Sequence, residues 1–445
     1  MLTDTILALG LLLTASSQLR PDGVPLGPGE LCLVAWIALV VTRAVRGDRP
    51  TATFALSGLL AFWMVFVFAE CLGTLFGLAT RERYDAGLFL HDVMAYPLIA
   101  AVSCLSVAAS AARTRLHRVA WLMATIGTLS LGLQAANGFG LLSVPGLQPW
   151  FWERFRGWSS NPNQLALLCV VLTFIPLHLA DTAQRGGPRF VAMCCAIAPI
   201  TVGVLTRSDT FTLALFAGGA IYAVLKIALW LRSPDPRFAL RSAIACMVVI
   251  ALPLLAISAL PFAYTMATDA RQAALDMSKG GAAEATQEAD LRLSLWQQAF
   301  QRGVESAMLG LGPGPHLDIP ASIVAGRSST TQPDNIVHPT QNGAPNFEAH
   351  NTLFDLFTQG GLLAVLAFLS LVAVAFGRAL RAGAAGLATL LAAVVLFGMT
   401  GLIVRQPVFW FAVALCLVAE PQVVRGIARR AQTNAALARG PLIAP

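Results

Sequence analysis

Charge is what this sequence has least of. Asp, Glu, Lys and Arg make up 12% of its 445 residues and hydrophobic residues 56%, whereas an ordinary soluble domain is about 25% charged. A soluble globular chain is thereby excluded. Several catalytic signatures are missing as well. There is no Walker loop, dinucleotide fingerprint or HExxH sequence, so nucleotide chemistry and zinc-peptidase chemistry are not indicated. All eight cysteines fall inside apolar runs and none in the long polar segment, which predicts neither disulfides nor a thiolate metal site. Asp318 and Asp334 stand isolated in that polar segment, so a carboxylate cage for a metal is not expected and no cofactor is called for. No internal repeat and no inverted pair of Gly/Pro-broken runs points to a carrier. The net charge of +7 is spread over short connections between apolar runs, which speaks for membrane orientation and against nucleic acid as a partner.

What is present is a series of apolar runs of about twenty residues, the length that a bilayer core of about 30 Å requires of a helix. The sequence predicts an all-α polytopic membrane protein with about twelve spans, at roughly 4–18, 29–45, 53–77, 86–111, 119–137, 162–181, 189–206, 209–231, 240–266, 350–377, 383–403 and 406–424. The first run has Asp4 before it and neither a basic flank nor a small-residue cleavage site, so it is expected to remain as a span. Alternate connections hold 18 of the 30 basic residues, and the positive-inside rule makes that side, with both termini, cytoplasmic. Residues 1–266 then form nine spans, 267–349 a large outer loop containing helices, and 350–445 three spans and a cytoplasmic tail. Within the loop, Asp290 is expected to cap a helix running to about Met308. Leu293, Trp296, Phe300 and Val304 recur there as one apolar stripe that can lie on the membrane or on the bundle.

Cations on the outer side stand against the charge bias and so need a reason. They are Arg154 and Arg156 ahead of the sixth span, Arg207 in a very short turn, Arg292 on the loop helix and Arg405 before the last span. The plain readings are interfacial anchors among Trp150, Trp152 and Trp158 for the first two, a snorkelling anchor or a salt bridge to Asp209 for Arg207, a solvated helix face for Arg292 and a simple flank for Arg405. The alternative is a phosphate or pyrophosphate site, because guanidinium stays charged and binds oxyanions bidentately. His350-Asn351 heads the tenth span at the water edge, and an imidazole can act as a base near neutral pH. His338 is a reserve candidate for that base. Several arginines and one histidine together describe transfer from a phosphate-activated donor.

Four pieces of sequence carry a resemblance. Asn161-Pro162-Asn163-Gln164-Leu165-Ala166 opens a span, and Leu205-Thr206-Arg207-Ser208 ends one. Arg292-Leu293-Ser294-Leu295-Trp296 leads to Leu309-Gly310-Leu311-Gly312-Pro313-Gly314, and His350-Asn351 is followed after nine residues by Gly361. The pattern resembles the O-antigen ligase family, within the wider ligase and polymerase superfamily, from about Phe155 to Gly361. Two positions depart from it: Ala364, where the family often has another glycine, and the order Thr206-Arg207-Ser208 around the arginine.

The resemblance implies a fold related to other lipid-linked-sugar glycosyltransferases. It implies inverting, metal-independent transfer of a polysaccharide from undecaprenyl diphosphate to lipid A–core, at the periplasmic face of the bacterial inner membrane. His350 would be the general base. Arg207 and Arg292 would hold the diphosphate, with Arg154 and Arg156 beside them, Asn351, Asn163 and Gly361 in support and Arg405 in reserve. An O-antigen polymerase or a protein O-oligosaccharyltransferase would use the same donor. A polysaccharide transporter is the reading from another class, and it would place charges such as Glu70 and Asp92 deep in the spans.

Overall fold

The computed structural model describes residues 1–20, 26–47, 53–109, 111–231, 281–318, 345 and 347–420. Eight helices among these are long and apolar enough to cross a membrane. They are α2 (Pro28–Val45), α3 (Phe54–Thr80), α4 (Ala86–Val107), α5 (Ala112–Gly138), α6 (Pro162–Thr182), the pair α7 (Gly186–Cys195) and α8 (Ile197–Leu205) counted as one, α9 (Asp209–Leu231) and α11 (Thr352–Arg381). Helix α10 (Gly281–Glu305) precedes α11. Three apolar helices are shorter: α1 (Leu2–Leu13), α12 (Ala385–Phe397) and α13 (Pro407–Leu417). The protein is thus a polytopic helical membrane protein. Of the twelve expected spans, eight appear as long helices and three as short ones, and 240–266 lies outside the described residues.

The short helices are short for a reason. All eleven residues of α13 are buried, and at 1.5 Å per residue it covers about half of a bilayer core. A helix walled by other helices need not match the thickness of the lipid. Helix α6 is buried along most of its length, from Leu165 through Pro176 without a break, which makes it the centre of the bundle. Lipid tails are as apolar as leucine, so close packing between helices has to select the arrangement. Where α12 crosses α6, a Cβ on Gly386 would stand 2.6 Å from the Cα of His178.

That crossing orients the bundle. The start of α12 lies at the end of α6, so the end of α12 lies at the start of α6. Tyr222 of α9 donates to Asp181 at 2.8 Å, which runs α9 parallel to α6. The starts of α6, α9, α11 and α13 therefore share one end of the bundle, and the connections 139–161, 206–208, 306–318 and 398–406 meet there. At the opposite end Arg115 and Arg118 pair with Asp4 at 3.3 and 3.2 Å, Lys226 pairs with Asp181 at 2.9 Å, and Arg113 pairs with Glu420. Among the described residues, the basic residues of these ion pairs and those of the connections before α6 and α9 lie at opposite ends.

Two local expectations change, and one element is new. Helix α10 begins at Gly281, so Asp290 lies inside it and not at its cap. Its buried face is Leu291, Leu295 and Ala299, spaced four apart, while Leu293, Phe300 and Val304 are exposed. The predicted stripe is therefore rotated from the packed face, though Trp296 and Phe300 still meet Phe354 and Phe357 of α11 at 5.8 and 6.2 Å between ring centroids. Finally, the segment before α6 forms a two-stranded hairpin, β1 (Trp150–Phe151) with β2 (Arg154–Phe155).

Candidate functional site

His350 occupies a left-handed backbone conformation, φ 51°, which a non-glycine residue adopts at a cost and holds only where its surroundings impose it. Several contacts hold the backbone on either side of it. Asn351 caps α11, its side chain accepting from the amides of Leu353 and Phe354 at 3.0 and 3.5 Å. Asp355, one turn into the helix and buried, accepts from the amides of Ala349 at 2.7 Å and Asn351 at 3.2 Å. The indole Nε1 of Trp296 donates to the Ala349 carbonyl at 3.1 Å. The imidazole itself is exposed, edge-on to the Phe347 ring at 5.1 Å. The turn is clamped while its side chain faces outward, an arrangement that suits a group which must meet a reactant.

Glu348, two residues earlier, pairs with Arg405, whose other guanidinium nitrogen donates to Asp92 of α4 at 2.7 Å. Asp92 also contacts Nδ1 of His91 at 3.1 Å. Burial works against the charge of Arg405, but the carboxylates of Glu348 and Asp92 outweigh it and hold the guanidinium protonated beyond its ordinary range. The Gly401–Arg405 segment is stitched to the start of α11 as well. Thr352 Oγ1 donates to the Gly401 carbonyl at 2.6 Å and accepts from the Ile403 amide at 3.1 Å. Trp410 of α13 donates to the Val404 carbonyl at 2.7 Å.

A second group lies at the same end. Arg154 donates to the Thr206 carbonyl at 3.1 Å and to Asn163 Oδ1 at 2.8 Å, which ties the hairpin to the start of α6 and to the Arg207 turn. Arg207 also has positive φ, 47°, and its partner is Glu153 in the hairpin, where Asp209 was the plain expectation. Arg156 turns away to Gln148, donating to its carbonyl and its side chain at 2.9 and 3.0 Å.

The nine-residue spacing from His350-Asn351 to Gly361 acquires a meaning in α11. Gly361 breaks the helix with φ 65° and ψ −161°, and a Cβ there would meet the Met308 carbonyl at 2.1 Å, so glycine is required. The glycine-rich segment 308–314 docks on the break. The amides of Leu311 and Gly312 donate to the carbonyls of Thr358 and Gln359, both at 2.8 Å, and the Leu362 amide donates to Met308 at 2.9 Å. These bonds replace the helical ones that the break removes. His316 follows in the same segment. Its Nε2 lies 2.7 Å from the Gly312 carbonyl, its ring meets Tyr84 edge-on, and burial pushes its pKa down to about 4. It is a structural imidazole.

The structure therefore brings Arg154, Asn163 and Arg207 into one group, and His350, Asn351, Arg405 and the break at Gly361 into another, at the same end of the bundle. Arg292 stands on α10 one turn before Trp296, about 6 Å along the helix from the residue that bonds the His350 turn. His338 lies outside the described residues. Among the described residues no group of three His, Cys, Asp or Glu side chains is placed to hold a metal. Sequence reasoning gave no role to Glu348 or Asp355, met Trp296 only in an apolar stripe and a motif, and met Asp92 only as a mark of a transporter. A carboxylate within a span, Asp92, and a cation opposing the charge bias, Arg405, were the available signals.

A search among curated proteins returns no match. A family model described as O-Antigen ligase matches residues 194–369. The matched stretch contains Arg207, Arg292, His350, Asn351 and Gly361, while Arg154, Arg156, Asn163 and Arg405 lie outside it. Over that stretch, which carries the histidine turn, the broken helix and two of the predicted arginines, the chain is similar to the O-antigen ligase family.

Proposed function

We propose that the protein transfers a polysaccharide from undecaprenyl diphosphate to a sugar hydroxyl of lipid A–core, without a metal and with inversion at the anomeric carbon. The observation that carries this reading is the His350 turn: a strained, multiply clamped backbone presenting an exposed imidazole beside an arginine-bearing helix. The end of the bundle holding this turn faces the periplasm, since the opposite end holds the denser set of basic residues.

His350 takes the proton of the acceptor hydroxyl as its oxygen attacks the anomeric carbon. A new glycosidic bond forms on one face of the sugar while the bond to the diphosphate breaks on the other. The lipid diphosphate departs with the bonding electrons, and Arg207 and Arg292, with Arg154 beside the Arg207 turn, bind it and stabilise its developing charge. A positioned base adds about 10²–10⁴-fold. Outside the cytoplasm the energy is already stored in the glycosyl–diphosphate bond, so no nucleotide is needed.

The test is reconstitution of the full chain with undecaprenyl-diphosphate-linked glycan and three acceptors in turn: lipid A–core, a second lipid-linked glycan, and a Ser/Thr-containing acceptor protein. Extension of lipid A–core supports the ligase. Extension of the lipid-linked glycan makes the protein a polymerase, and extension of the protein acceptor makes it an O-oligosaccharyltransferase.

A further inference from the structure

Arg405 offered itself in the sequence as one more cation for a phosphate, yet its guanidinium is turned inward. It is largely buried, with 18% of its side chain exposed, and it spans two carboxylates that are distant in the chain. One is Asp92, fully buried on α4. The other is Glu348, two residues before His350. The backbone around Arg405 is tied to the same turn through Thr352, two residues after His350, whose hydroxyl bonds both Gly401 and Ile403. The His350 turn is thus held from both sides by the segment that carries Arg405, and that segment is fixed in the bundle by Asp92 and by the Trp410 indole.

We propose that Arg405 is a positioning residue for His350, acting through Glu348 and anchored by Asp92, and that it does not bind the donor. The proposal rests on the reading that His350 takes the acceptor proton. A left-handed residue relaxes toward ordinary φ when its restraints are cut, and that would swing the imidazole out of line with the acceptor oxygen. Displacement of a reacting group by about 1 Å can cost about 10²-fold in rate, while leaving the affinity for a donor held by other cations unchanged.

The experiment compares the purified full chain with its E348Q, R405Q, R405K, E348Q/R405Q and H350Q variants, using undecaprenyl-diphosphate-linked glycan and lipid A–core. E348Q leaves the buried Arg405–Asp92 pair intact and so serves as the variant expected to fold whatever R405Q does. The expected result is a fall in kcat of about 10-fold for E348Q and about 10²-fold for R405Q, with the donor KM unchanged within about twofold. R405K should recover only part of the loss, because an ammonium cannot reach two carboxylates as a planar fork does. The double variant should be no slower than R405Q, since residues acting in one chain are not additive.

A rise in donor KM of about tenfold in R405Q with kcat unchanged would make Arg405 a diphosphate contact and overturn the proposal. Wild-type kcat in E348Q, or a double variant as slow as the product of the two singles, would overturn it equally. H350Q separates this from the chemistry beneath it. If H350Q transfers at the wild-type rate the base assignment falls, whereas an inactive H350Q beside a fully active E348Q and R405Q removes only the positioning role.

Discussion

The indole of Trp296 donates to the carbonyl of Ala349 across 3.1 Å, which fastens α10 to the residue just before His350. Through that bond α10 and the start of α11 behave as one unit, and Arg292, one turn earlier on α10, is carried with them. Trp296→Phe keeps a ring against Phe354 but loses the donor. The expected outcome is a loss of about 1 kcal/mol in stability together with a clear fall in transfer rate, checked by thermal unfolding of the purified protein and by the reconstituted assay.

Arg292→Lys preserves charge and removes the planar fork that suits a diphosphate. We expect the donor KM to rise about tenfold, which corresponds to about 1.4 kcal/mol of lost binding. Initial rates over a series of donor concentrations measure it, and an unchanged KM would assign Arg292 to the solvated face of its helix.

Arg207 and Glu153 form an exposed pair. Such pairs are worth about 0–1 kcal/mol, so a diphosphate can displace the carboxylate at small cost. Glu153→Gln removes the competitor, and the donor KM should fall by up to about fivefold with kcat unchanged. A higher KM in this variant would mean that Glu153 holds Arg207 in its working geometry.

Gly361→Ala places a Cβ 2.1 Å from the Met308 carbonyl at a positive φ. The substitution forces apart the break in α11 and the glycine-rich segment docked on it, at an expected cost of about 3 kcal/mol or more. Detergent-solubilised protein should show a lowered melting temperature and loss of the monodisperse species on gel filtration.

His316 gives the protein a pH-dependent share of its stability. Its folded pKa of about 4 lies below the unfolded value of about 6.5, so the unfolded chain binds the extra proton first. The contribution is whole above about pH 6.5 and is lost progressively as pH falls toward about 4, amounting to up to about 3 kcal/mol. Melting temperatures measured between pH 7 and pH 4 should fall more steeply for the wild type than for His316→Gln.

Hydropathy was enough to read most of the membrane helices and to sort the cations between two ends, because both follow from the cost of placing charge in lipid. The local motif at His350-Asn351 was legible for a similar reason, since an amide that caps a helix is a neighbour in sequence. The partners of Arg405 were not, because Asp92 stands 313 residues away and no periodicity reports which side chain faces which across a bundle. The break at Gly361 showed only as a spacing until the segment 308–314 was seen docked on it. The start of α10 was missed because Asp290 makes a good cap in isolation, whereas the helix already runs from Gly281.

The central claim is that His350 removes the acceptor proton in a metal-independent transfer. Its most direct measurement is single-turnover transfer by the His350→Ala protein, correctly inserted and saturated with undecaprenyl-diphosphate-linked glycan and lipid A–core in the presence of a chelator. The account predicts a rate at least about 10²-fold below the wild type, with donor binding retained. Transfer at the wild-type rate would contradict it.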